Sequence, residues 1–140
     1  MRVEAIHLRA PDAADVHEVG TAEAIAGKGL EGDRNFFDEG ARPGLALTLI
    51  EADVVREVGL APGSTHRQVT VSGTGLNDLV GKKFRVGSVE CYGVMLCEPC
   101  LHLQEMTRPG IIEELVHRAG LNADILTDGA ISVGDEVVEL

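Results

Sequence analysis

The stretch Lys83-Phe-Arg-Val-Gly-Ser-Val-Glu-Cys-Tyr-Gly-Val-Met-Leu96 sets the fold class. Two β-prone runs, Lys83–Val86 and Val89–Leu96, are separated only by Gly87-Ser88. A two-residue link with glycine first is the chemistry of a tight hairpin, because glycine tolerates the backbone angles such a turn demands. Similar short runs recur on both sides. Val3–Leu8 and Val16–Ala26 come first, Leu45–Ile50 reads as a buried strand, and Gln68–Val71 is a further one. Downstream, Ala123–Leu126 and Ala130–Val133 flank Asp128-Gly129 as a second predicted hairpin, and Gly134-Asp135 turns the chain into a last strand, Glu136–Leu140.

Helical periodicity is confined to short segments: Glu51 to Val58, Cys100–Met106 and Ile111–Ala119. In the last, Ile111, Ile112, Leu115, Val116 and Ala119 form one apolar stripe, with Gly120 as a C-terminal cap. The expected architecture is mostly β (a β-rich α+β chain), a closed or partly closed β-barrel with a few short helices. With 140 residues and no internal repeat or linker, one domain over residues 1–140 is expected.

Hydrophobic residues make up 44% of the chain but aromatics only 3%, so the core must be built from Val, Leu, Ile and Ala. A formal net charge of −11 argues against a nucleic-acid partner, whose phosphates require concentrated Lys and Arg. It leaves room for one local basic pocket. The apolar stretch around Leu45–Ile50 is far short of a membrane span, and the N-terminus alternates polar and apolar residues without a signal-peptide core. Three cysteines cannot all pair, and their density is not that of a secreted scaffold. A cytoplasmic protein with reduced thiols and no membrane partner is the expectation.

Cys97-Glu-Pro-Cys100-Leu-His102 follows the long strand directly. Pro99 suits the first turn of a helix, where its missing N–H costs nothing. Cys100 would then face free backbone N–H groups at the positive end of a helix dipole, which favours the nucleophilic, metal-binding thiolate. The pair alone admits three readings. Zinc would need Cys91 and His102 as further ligands, with a spacing too tight for the usual site. A thioredoxin-like disulfide would need a βαβ setting. Plain core packing is the third, and for Cys91, inside a strand, it is the better one.

Gly27-Lys-Gly-Leu-Glu-Gly-Asp-Arg34 matches neither established phosphate fingerprint. It reads either as an anion-cradling loop, with Lys28 and Arg34 adding charge, or as a tight turn with a structural Asp33. His117-Arg118 is placed on the polar side of the last helix. Arg67 begins a strand after His66. Each would be ordinary surface unless it converges with Cys100.

Taken in order, Gly29-Leu-Glu-Gly-Asp-Arg34, Leu47-Thr-Leu-Ile-Glu51, Arg67-Gln-Val-Thr-Val71, Leu76-Asn-Asp-Leu-Val-Gly-Lys-Lys-Phe-Arg-Val-Gly87, Glu98-Pro-Cys100 and Gly129-Ala-Ile-Ser-Val-Gly-Asp135 resemble a MOSC domain, the module named for the C-terminal part of molybdenum-cofactor sulfurase. The resemblance runs almost the full length, departing at Asn35 and at Gln68. It implies a barrel-like β fold and makes Cys100 the family's characteristic thiol, carrying sulfur as a persulfide or ligating the molybdenum of the pterin cofactor. By the same resemblance Lys28, Asp33, Arg34, Arg67, His117 and Arg118 are the expected cofactor contacts, with Cys100 as reactive atom and metal ligand.

These residues contain no aminotransferase-like portion, so no pyridoxal phosphate site is expected and sulfur would pass to or from a separate donor or acceptor protein. An alternative, a molybdenum-dependent reductase of N-hydroxylated compounds, would draw on external electron-transfer proteins. A non-catalytic metal-binding or scaffold module is the third class.

Overall fold

A computed structural model describes residues 1–140. β1 (Arg2–Leu8) pairs antiparallel with β2 (His17–Val19), and a bulge between Val3 and Ala5 changes which parity of side chain faces inward. Val3, Ile6 and Leu8 can therefore all enter the core, while His7 points the other way, to a cavity wall. The run read as one strand over Val16–Ala26 breaks at Gly20. β3 (Thr21–Ile25) leaves the first sheet and pairs with β4 (Gly29–Leu30) and with β10 (Gly129–Ser132).

β5 (Leu47–Glu51) and β6 (Val69–Ser72) are parallel, and the crossover that parallel pairing requires carries α1 (Ala52–Glu57). A 3-10 turn at Leu76–Leu79 leads to β7 (Lys83–Val86) and β8 (Val89–Leu96), where Val86 pairs with Val89. That is the two-residue hairpin expected from Gly87-Ser88. Two short helices, α2 (Leu101–Met106) and α3 (Ile111–Leu115), lead to β9 (Leu121–Ile125); β10 and β11 (Val137–Glu139) end the chain.

The larger sheet runs β11-β7-β8-β9-β5-β6-β1-β2. It curls into a half-barrel whose ends approach: Val3 N–H donates to the Asp135 carbonyl and Val137 N–H to that of Met1, both at 2.8 Å. The mostly β, partly closed architecture is thus as expected. Phe84 is fully buried among Leu47, Leu49, Leu121 and Ile125 inside the curl, and burying such a side chain stabilises by roughly 1.5–3 kcal/mol. A second cluster, Val54, Val58, Leu103, Ile111, Leu115 and Ala119, packs α1 against α2 and α3. This small core fixes where the cysteine segment ends.

Four local expectations are corrected. Asp128-Gly129 is no hairpin: β9 pairs with β5 and β8, whereas β10 pairs with β3. Asp128 instead accepts the Ala26 N–H at 2.7 Å, joining the two sheets. The last helix ends at Leu115, so Val116 is exposed and His117 lies beyond the helix in left-handed backbone (φ 61). Gly120 is a close-approach glycine rather than a helix cap, because a Cβ there would stand 2.3 Å from the Leu49 carbonyl oxygen. Pro99 precedes the cap of α2, and Cys100 itself is the N-cap.

Candidate functional site

Beyond the half-barrel's core, β1, the 33–35 loop, the segment before β6 and α2 enclose a cavity of about 290 Å³. Arg9, Arg34 and Arg67 line it, with His66 and with His102 and Met106 of α2. Their convergence follows from main-chain hydrogen bonds. Arg34 N–H donates to the Arg9 carbonyl at 2.7 Å, which brings the glycine-rich loop against the end of β1. His7 N–H donates to the Gln68 carbonyl at 2.8 Å, which brings the Arg67 segment against the same strand.

Asp33 is the bracket beneath them. It is 5% exposed and accepts three hydrogen bonds: from Arg9 N–H (2.8 Å), Asn35 N–H (3.0 Å) and Gln68 Nε2 (2.8 Å). Gln68 also accepts the Thr48 N–H through Oε1 at 3.0 Å, so its side chain spans from Asp33 to β5. The carboxylate is held by protein donors, as a structural aspartate would be. Arg67 is oriented by neutral acceptors, Nε donating to the Ala119 carbonyl (2.9 Å) and Nη1 to that of Thr65 (3.3 Å). None of Arg9, Arg34 and Arg67 belongs to an ion pair. Three guanidinium charges line one cavity, against the single carboxylate of Asp33.

His66, also in left-handed backbone (φ 59), stands 3.8 Å from Asp15. Burial chiefly, then the Arg9 charge, holds its imidazole below the ordinary range; Asp15 opposes, and His102 and Arg67 add to the lowering. His7 is 6% exposed on the cavity wall, and its Nδ1 has no protein partner.

The cysteines differ sharply. Cys91 is fully buried in β8, and burial with the neighbouring Asp124 and Glu90 pushes its thiol up to about 12, as core packing requires. Cys97 is half-buried, its N–H donating to the Gly120 carbonyl at 2.8 Å. Burial raises its thiol, and the Arg67 charge opposes that rise. Cys100 is exposed; its carbonyl accepts the Gln104 N–H at 3.1 Å while its side chain makes no capping bond. Its sulfur is free for other chemistry.

No group of three or more His, Cys, Asp or Glu side chains is arranged to hold a metal ion, so the zinc set Cys91, Cys97, Cys100 and His102 does not assemble. The cysteine pair does not sit in the one βαβ-like crossover, which joins β5 to β6. Of the residues expected at the site, Asp33, Arg34 and Arg67 share the cavity, whereas Cys100 is not in its lining and is linked to it only through His102 and Met106 of its helix. Lys28 lies in the β3–β4 turn, outside it, its carbonyl accepting the Phe37 N–H. His117 and Arg118 lie apart. His117 is clamped by Glu98, which takes its N–H (2.7 Å) and its Nδ1 (2.5 Å), and Arg118 pairs with Glu57 at 2.7 Å beside a separate cavity of about 220 Å³. Arg9 and His7 were missed. Neither stands in a motif, and only the crossing of β1 with the 33–35 loop brings them in.

The family model for the MOSC domain matches residues 43–138. Among solved structures, the YuaD protein from Bacillus subtilis superposes with a TM-score of 0.80 at 15% identity, covering 97% of this chain and 93% of that one. YiiM from Geobacillus stearothermophilus gives 0.72 at 14% identity (99% and 74% covered), and YiiM from Escherichia coli 0.69 at 18% (100% and 70%). At such identities these likenesses speak for the fold alone. No curated protein matches the chain. With a family model covering most of its length and the partly closed β fold of these neighbours, the chain belongs to the MOSC domain family.

Proposed function

We propose that this MOSC protein binds a molybdenum–pterin cofactor, or carries sulfane sulfur for such a cofactor, with Cys100 as the reacting atom. One observation carries the reading: Cys100, exposed and with its thiol unengaged, is the N-cap residue of the helix whose His102 and Met106 line a cavity with three unpaired arginines, Cys100 itself standing outside that lining. A soft sulfur donor at the start of the helix that walls a cationic hollow suits a ligand with a thiophilic centre and an anionic tail. The unpartnered Nδ1 of His7 on the cavity wall also fits a polar ligand, since buried polar groups ordinarily find partners.

In this reading Arg34 and Arg67 would hold the cofactor's phosphate, Arg9 would add positive field, and Cys100 would offer its sulfur as a ligand to molybdenum. The bound group would supply oxygen-atom and two-electron chemistry. Asp33 holds the loop rather than the ligand, because its oxygens are already occupied. As a sulfur carrier, the Cys100 thiolate would attack the terminal sulfur of a donor persulfide. The new S–S bond forms at Cys100 while the donor's own cysteine leaves as thiolate.

Co-expression with cofactor biosynthesis, followed by molybdenum and pterin analysis and by persulfide mass spectrometry after exposure to a persulfide donor, tests the reading. Wild type should carry metal and pterin or accept sulfur. The Cys100→Ser variant should lose both capacities, and Arg67→Gln should lose pterin. Equal loading of wild type and Cys100→Ser would overturn it.

A further inference from the structure

We propose that the cavity takes up a proton on His66 together with its anionic ligand, so that a tetrahedral dianion binds more tightly as the pH falls. The inference rests on reading Arg34 and Arg67 as anion contacts, and it adds a titrating residue that no motif supplies.

Geometry carries it. His66 lines the cavity in a left-handed conformation that is uncommon for a residue with a side chain. The turn around it is anchored on both sides, by His66 N–H donating to the Gly63 carbonyl (3.0 Å) and Arg67 N–H to Thr65 Oγ1 (3.4 Å). Such outliers persist where surrounding structure enforces them, and they gather at ligand sites. Here the enforced twist leaves the imidazole among the arginines.

The groups around His66 come from every neighbouring element. Arg9 lies beyond β1, Arg67 is the next residue, His102 comes from α2, and Asp15 approaches from the loop before β2 at 3.8 Å. Across the cavity stand His7, Arg34 and Asp33, the last already saturated by protein donors. Burial first, and then the excess of cations over carboxylates, hold the free imidazole below its ordinary range.

A dianion between the arginines reverses the local field, and the imidazolium becomes the favoured form. Binding then draws one proton from solvent. The sign follows from linkage: affinity is highest where His66 is already protonated, and falls as pH rises from its free pKa, below 6.5, to that of the complex. Across that window the change approaches tenfold per pH unit.

Sulfate is the probe, because it stays a dianion throughout this range and any pH dependence belongs to the protein. Calorimetric titration in two buffers of different ionisation enthalpy reads both affinity and proton uptake. Wild type should bind sulfate about tenfold more tightly at pH 5.5 than at pH 7.5, with net proton uptake between. The variant His66→Asn, which tolerates left-handed backbone but does not titrate, should bind with a flat profile. In wild type, the NMR titration of the His66 ring should shift to higher pH when sulfate is added, a readout that needs no variant.

A flat wild-type profile, an unshifted ring titration, or an unchanged slope in His66→Asn would overturn the proposal while leaving the anion site standing. No sulfate binding at any pH, or binding untouched by Arg67→Gln, would overturn the anion site itself and this proposal with it.

Discussion

His66-Arg67 and His117-Arg118 are the same dipeptide in the same backbone twist, with φ of 59° and 61° at the histidines. They nevertheless have opposite standing in the molecule. Arg67 is held by two neutral carbonyls and keeps its charge for the cavity. Arg118 is held by the Glu114 carbonyl and by the carboxylate of Glu57. The Glu57 carboxylate beside Arg118 offsets its charge toward an approaching anion, in an exposed pair that solvent screens further. His66 meets mainly cations, whereas His117 meets Glu98. The candidate site here is defined by what its neighbours leave uncompensated, not by local sequence or local conformation.

The comparison breaks first at Gly120, which adjoins Arg67 and lines a cavity together with Arg118. Gly120→Ala drives a Cβ to 2.3 Å from the Leu49 carbonyl oxygen at φ +124, beside the Ala119 carbonyl that orients Arg67. The expected cost is about 2–4 kcal/mol in denaturant unfolding, with loss of the Arg67 geometry. Next, Arg67→Gln should weaken sulfate binding about ten- to a hundredfold by calorimetry, the range for a lost charge-assisted contact.

The same substitution should slow alkylation of Cys97. Arg67 opposes the rise in that thiol's pKa, so removing the cation lifts it further and leaves less thiolate at pH 8. A several-fold slowing by mass-spectrometric kinetics is the expected result, with Cys100 still the first thiol modified and Cys91 the last. Glu98→Gln should cost under about 1 kcal/mol, since the exposed pair it weakens is solvent-screened. Smallest of all, Arg118→Gln should leave sulfate affinity within about twofold. A tenfold loss there would erase the contrast between the two dipeptides.

Some of the molecule was legible from neighbouring residues alone. The β7–β8 hairpin formed at Gly87-Ser88 because its pairing partners lie next to its turn. Asp128-Gly129 carried an equally good turn signal and failed, because β10 finds its partner in β3, at the other end of the chain. The stripe Ile111–Ala119 was half right. Ile111, Leu115 and Ala119 do pack against α1 and α2, but the helix stops after Leu115, where Glu98 fixes the following His117 in a left-handed turn. At the site, Arg34 and Arg67 were marked by their motifs, whereas Arg9 and His7 enter only because β1 crosses behind the 33–35 loop.

The amino-acid sequence by itself determined the strand-rich class, the family, the buried fate of Cys91 and the exposed candidacy of Cys100. These depend on periodicity, turn chemistry and ordered motifs, which act over a few residues. Only the tertiary structure decided which cations share a hollow, that Glu57 offsets Arg118, that Glu98 holds His117 away from the cavity, and why Asp33 is a bracket. Charge acts through space and through solvent, so residues far apart in the chain set its local value, and no spacing along the chain encodes that sum.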